Sequence, residues 1–259
     1  MEEGGLRLGR SEKDGPVTCG RFGAALLDLD GVVTDTARLH ALSWKRVFDD
    51  FLERRARARG ERFRPFDLGS DYLRHVDGRA RRDGVRAFLD SRDVRLPEGS
   101  DDGPEDEDSV AGLARRKDAL FTETLEREGV EVYDGTVRWI RHLRDAGLRI
   151  AVVSASHHCQ EVLRAAGLET LFDARVDGQL ADRLGLAGKP APDAFLEGAR
   201  QLGAEPARCL VVEDALAGVA AGRAGDFGLV VGVARHGNAA ELAAAGADVV
   251  VGDLSELLP

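Results

Sequence analysis

The chain has 259 residues, enough for one large domain or for a core of about 150 residues with a smaller companion. It is 43% hydrophobic and 32% charged, as folded globular proteins are, and its formal charge of −10 argues against a nucleic-acid partner. No apolar run approaches the ~20 residues of a membrane span, and the first residues lack a basic-then-apolar export signal, so a cytoplasmic protein without membrane contact is expected.

Residues 1–20 are polar, glycine-bearing and aperiodic, and read as a flexible leader. A short buried strand over 24–28 follows and ends in Asp28-Leu29-Asp30-Gly31. Side-chain alternation sends two carboxylates at this spacing to related positions. At the carboxyl end of a parallel strand, where a glycine lets the chain turn, both can face one cleft. One can then attack an electrophile while the other handles a proton, the division of labour of covalent phosphoryl transfer.

From about Thr36 the pattern turns helical, with Leu39, Leu42, Val47, Phe48 and Phe51 near i, i+3, i+4 spacing. Helix-favouring, charged segments continue to about Gly129, with an arginine-rich break expected around 54–66 and an acidic surface loop over 97–108. After Gly129, apolar strands alternate with amphipathic helices: strand 149–153, helix 157–166, strand 174–176, helix 192–202, strand 209–212, helix 215–224, strand 228–233, helix 239–245 and strand 248–251. That alternation predicts an α/β fold with a doubly wound, Rossmann-like parallel sheet. About 100 residues between the first strand and the rest are too many for a crossover. Residues 21–35 and 131–259 are therefore expected to form the core, and 36–130 an inserted helical cap domain able to close over Asp28 and Asp30.

Ligands of such sheets bind beyond the carboxyl ends of the strands. Besides Asp28 and Asp30, those ends carry Ser154-Ala155-Ser156, followed by a helix whose early amides suit an anion, then Lys189 in Gly188-Lys189-Pro190, and Glu213-Asp214. Carboxylates from two strand ends suit the hard cation Mg²⁺, and Ser154 and Lys189 are placed to hold phosphoryl oxygens. Lysine occurs only at Lys13, Lys45, Lys117 and Lys189, which singles out the two that fall near these motifs. Cys19, Cys159 and Cys209 are far apart, which fits free thiols and offers no metal spacing; Cys209 reads as a small buried hydrophobe.

These motifs, in this order over about 22–235, resemble the haloacid dehalogenase superfamily. Within it, Thr34–His40, Trp44-Lys45, Gly188–Asp193 and Val212–Gly218 resemble the β-phosphoglucomutase subgroup with a helical cap. The resemblance implies that Asp28 is the nucleophile and Asp30 the general acid/base. Mg²⁺ would be held by Asp28, the Asp30 carbonyl, Glu213 and Asp214, with Thr36 and His40 at the cap hinge. It places Trp44 and Lys117 in the substrate site, together with a phosphate-gripping arginine that aligns best with Arg81, although Arg79 and Arg82 stand close by. Asp118 replaces the usual Asn of the Arg116-Lys117 element, and His157 and His158 replace a usual basic residue and Asn after Ser156.

The implied activity interconverts β-D-glucose 1-phosphate and glucose 6-phosphate through an aspartyl phosphate and glucose 1,6-bisphosphate. The alternatives are a Mg²⁺-dependent sugar-phosphate phosphatase using the same apparatus and, in another class, a phospho-accepting regulatory module, against which the large cap argues. A small-molecule sugar phosphate is the expected partner, with a metabolic link to a disaccharide phosphorylase and a monomeric state.

Overall fold

The computed structural model describes residues 20–100, 102–104, 108–235 and 237–259. The leader expected over 1–20, save Gly20, lies outside the described residues, as do Cys19 and part of the acidic loop. The first strand, β1 (Ala24–Leu27), is wholly apolar and wholly buried, as a central parallel strand covered on both faces must be. It pairs in parallel with β2 (Arg149–Val153) on one side and β4 (Cys209–Glu213) on the other, Leu26 lying between Ala151 and Val211. With β3 (Ala174–Val176), β5 (Leu229–Val233) and β6 (Val249–Val251) the sheet has six strands in the order β3-β2-β1-β4-β5-β6, all pairs parallel. The predicted doubly wound α/β sheet is therefore present, with each expected strand in place.

Strand alternation divides the core. Leu27, Val152 and Val212 face a cluster with Trp139, Ile140 and Leu143 of a helix over Asp134–Asp145 (α5). Leu26, Ala151, Val153 and Val211 point the other way, onto Phe195 and Ala199 of α8 (Asp193–Gln201). Helix α5 and the short α7 (Gly178–Leu184) were not among the elements expected, although Val137, Ile140 and Leu143 recur on one helical face.

A separate apolar cluster consists of residues from 44 to 114, with Phe48 at its centre, 4.2 Å from the Phe88 ring and 5.0 Å from those of Trp44 and Phe66. It joins α1 (Thr36–Arg59), α2 (Leu73–His75), α3 (Arg81–Ser91) and α4 (Val110–Glu128). Helix α1 continues to Arg59, through the start of the expected break. The pairs Asp50–Arg54 and Glu53–Arg57 brace its exposed face, Ala56 is buried, and Gly60 at φ +66° ends it.

The two passages between sheet and helices lie side by side. The Asp35 amide donates to the Glu131 carbonyl at 2.9 Å, the Tyr133 amide to the Val33 carbonyl at 3.0 Å, and the Tyr133 hydroxyl to Asp35 Oδ1 at 2.8 Å. Among the described residues no helix is long and apolar enough to cross a membrane. Cys159 and Cys209 are free and buried.

Candidate active site

Beyond Leu27 the ladder extends by one bond, Asp28 amide to Val212 carbonyl at 3.0 Å, and the chain then turns sharply. Gly31 makes that turn at φ +90°, its amide donating to the Thr34 carbonyl at 2.7 Å. A Cβ at this position would collide with the Asp214 carboxylate, so only glycine lets the β4 end lie against the β1 loop.

Asp28 is 5% exposed. The Lys189 ammonium, itself buried, donates to both Asp28 Oδ1 and Glu213 Oε1. Burial alone would lower the pKa of Lys189, but the two carboxylates outweigh it and hold the ammonium charged. The other Glu213 oxygen accepts from the Asp214 and Ala215 amides at 3.0 and 2.9 Å. The geometry thus has Glu213 holding Lys189 and the loop with both oxygens, at the β4 end where the sequence expects a metal ligand.

Asp30 faces the other way. Its Oδ1 accepts from the Thr36 hydroxyl at 2.5 Å and its Oδ2 from the Ser154 hydroxyl at 3.0 Å. His40 Nε2 stands 3.3 Å from Oδ1, near enough for attraction but out of line for a hydrogen bond. Burial would raise the Asp30 carboxyl; His40, Thr36 and Ser154 together overcome it and hold the group ionised. Ser154, expected to grip a phosphoryl oxygen, is therefore committed to Asp30. It also accepts the Ser156 amide at 3.0 Å, and the Ser156 hydroxyl accepts the His158 amide at 3.1 Å. Helix α6 starts only at Cys159 (Cys159–Ala165).

The helical side contributes Lys117 from α4, 2% exposed. Its ammonium lies 2.5 Å from His40 Nδ1, 4.6 Å from the Phe121 ring centroid and 5.7 Å from that of Trp44. An ammonium can only donate, so His40 Nδ1 accepts and the imidazole proton falls on Nε2, toward Asp30. Burial, with help from Arg81, pulls the Lys117 pKa down to about 7. Burial and Lys117 likewise lower that of His40.

Asp77 also enters the site, although sequence reasoning passed over it. The loop after α2 brings it in, with Gly78 at φ +69° so close to Ala215 that a Cβ there would press on the Ala215 methyl. Burial, with the Glu213 charge adding to it and a hydrogen bond from Tyr72 opposing, pushes Asp77 up to about 7. Asp77 is in turn the strongest charged neighbour raising Asp214, after burial itself.

Asp28, Asp30, His40, Trp44, Arg81, Lys117, Ala155, Ser156 and Asp214 all line one cavity of about 60 Å³, with Tyr72, Asp77, Arg79 and Asp118. Thr36, Ser154, Lys189 and Glu213 stand behind it, and Arg82 lines a neighbouring groove.

Among the described residues no three His, Cys, Asp or Glu side chains form a ready-made cage. The donors do suit Mg²⁺, which takes one or two carboxylates and keeps water in its other positions. Asp214 Oδ2 is buried without a partner, and burial plus mutual crowding push the Asp28 and Asp214 carboxyls up, as a missing positive charge would. Asp28 and Asp214 would hold the ion, with Glu213 beside them.

A haloacid dehalogenase-like hydrolase family model matches residues 22–226. The chain belongs to that family. It is 50% identical over 238 residues to a β-phosphoglucomutase of Mycobacterium tuberculosis, covering 91% of each chain. A protein of the same organism, named an uncharacterized glycosyl hydrolase, is 38% identical over 90% of this chain, which spans only 17% of that protein. The crystal structure of a β-phosphoglucomutase from Clostridium difficile superposes with a TM-score of 0.69, covering 91% of this chain and 93% of that one at 23% identity, a likeness of fold.

Proposed function

We propose that this chain interconverts β-D-glucose 1-phosphate and glucose 6-phosphate by way of glucose 1,6-bisphosphate. The observation that carries the reading is a cleft with basic groups at both ends. Lys189 serves the Asp28 end, and Lys117 and Arg81 serve the opposite, helical end. A phosphatase needs to hold only the phosphoryl group being transferred. A mutase must hold a bisphosphate by either end, so it needs cations at both. The identity to a mycobacterial β-phosphoglucomutase over nearly the whole of both chains supports the same conclusion.

In this reading residues 36–130 act as a cap on a core of 21–35 and 131–259. Asp28 attacks the phosphorus, and Lys189 offsets the charge of the incoming phosphoryl group. Asp30 takes the proton from the sugar hydroxyl that attacks the aspartyl phosphate and returns it when that bond reforms. Mg²⁺ would supply electrophilic stabilisation of the phosphoryl oxygens when held by Asp28, the Asp30 carbonyl, Glu213 and Asp214. Thr36, His40 and Ser154 hold Asp30, and Arg81 and Lys117 hold the phosphate that is not being transferred, with Trp44, Ala155 and Ser156 lining the sugar space.

A sugar phosphate made and used inside the cell fits a cytoplasmic protein acting as a monomer, with a disaccharide phosphorylase as the reaction class that would supply β-glucose 1-phosphate. The test is to incubate β-glucose 1-phosphate with Mg²⁺ and catalytic glucose 1,6-bisphosphate while following glucose 6-phosphate and free phosphate together. Glucose 6-phosphate should dominate. Free phosphate released as fast would replace the mutase with a phosphatase.

A further inference from the structure

Asp118 Oδ1 meets two groups at once, paired with the Arg81 guanidinium at 2.6 Å and hydrogen-bonded by His158 Nε2 at 2.8 Å. Arg81 opens α3 in the helical part, Asp118 lies on α4 beside Lys117, and His158 precedes α6 on the sheet side. The contact to His158 therefore spans the cleft, and the contact to Arg81 occupies a guanidinium that lines it. Asp118 is only partly buried, its side chain 29% exposed, so nothing in the packing forces a carboxylate onto this pair.

We propose that Asp118 is an internal stand-in for the substrate's distal phosphate: it fills Arg81 and His158 while the cleft is empty and gives them up when a phosphate monoester enters. This rests on reading the cleft as a two-ended phosphate site. A carboxylate offers one negative charge and two oxygens; a phosphate monoester dianion offers nearly two charges and three oxygens. The exchange favours the phosphate, yet every binding event must first break the carboxylate's contacts. A neutral sugar lacking a distal phosphate gains nothing at Arg81 and His158 and cannot displace Asp118. The residue thus sets a threshold that only a phosphorylated ligand passes, and it acts by competition rather than by touching the reacting atoms.

A purely structural Asp118, one that merely aims Arg81, predicts the opposite sign on removal. The discriminating measurement is calorimetric titration of inorganic phosphate into the full chain with EDTA present. Without a divalent cation the Asp28 end repels anions, and binding reports the Arg81 end. Asp118→Asn keeps the shape and an acceptor oxygen while removing the charge. It should bind phosphate about tenfold more tightly than wild type, the equivalent of one lost competing charge-assisted contact. Asp118→Ser, which cannot reach Arg81, should tighten binding as well. Arg81→Ala should abolish binding in either background.

Weaker or unchanged binding in both Asp118 variants, or no binding in any protein, overturns the proposal. Loss of isomerase activity in wild type with the Asp118 effect intact would discard the mutase and keep the stand-in. An active mutase without the effect would do the reverse.

Discussion

Lys189, arriving from a distant loop, is shared between the nucleophile and Glu213 and opposes the burial that pushes the Asp28 carboxyl up. Asp28→Asn preserves shape but removes the nucleophile. Turnover of β-glucose 1-phosphate should fall at least about a thousandfold with the circular dichroism spectrum unchanged. Asp30→Ala should slow formation and breakdown of the phosphoenzyme by ~10²–10⁴-fold, measured in single-turnover mixing, because each step moves a proton. Lys117 invites a test by pH. Its pKa is drawn from 10.5 to about 7, so between those values the unfolded chain binds the extra proton and the folded chain does not. Stability attributable to this residue therefore rises with pH across that window, and the burden of the buried charge is fully present below it. Lys117→Met should raise the melting temperature most near pH 6, with the gain fading toward pH 10, while mutase activity drops. A gain that grows with pH would contradict the sign.

At the scale of elements, α1 and α4 belong to both halves of the molecule. Leu39 and Phe121 pack in the sheet's cluster, whereas Trp44 and Phe48, farther along α1, and Val110 and Leu113, earlier in α4, pack in the helical one. Phe121 also stacks on His40 at 4.0 Å and carries the Lys117 ammonium on its face. Phe121→Ala should destabilise by ~3–5 kcal/mol in denaturant melts, and in addition weaken activity more than another core truncation of equal stability cost.

The strands and their terminal chemistry were legible in the sequence because apolar runs, turns and the groups they present are local. Asp28, Asp30, Lys189 and Asp214 each sit within a few residues of a strand end or a proline turn. Asp77 was not legible: a single acid in a basic stretch acquires meaning only when its loop folds onto Ala215. Nor was the bond between Asp118 and His158, made across 40 positions by two parts that meet only when the helices lie over the sheet. The commitment of Ser154 to Asp30 was hidden for the same reason. Helix α5 carries its periodicity in plain view, between a glycine and the second strand, in a stretch to which the sequence reading assigns no element.

For the molecule as a whole, the closed cleft gathers Asp28, Asp77, Glu213 and Asp214 around a single ammonium, so shutting it concentrates negative charge that a divalent cation would relieve. Magnesium should accordingly favour closure. Small-angle scattering of Asp77→Asn should show a compact form with less dependence on the ion than wild type, and equal dependence would remove Asp77 from this role. The cavity itself, about 60 Å³, is far below the ~300–1,000 Å³ of ordinary ligand pockets. A hexose phosphate is larger than this space, so the proposed substrate calls for the helices to move outward. With the helical part acting as the proposed cap, each catalytic cycle would push it through solvent once on the way in and once on the way out. If that excursion limits the steady-state rate, turnover will fall in proportion to the microviscosity of added sucrose, while an inert polymer that thickens only the bulk leaves it unchanged. The drag of water on one half of the protein then becomes a term in its rate law.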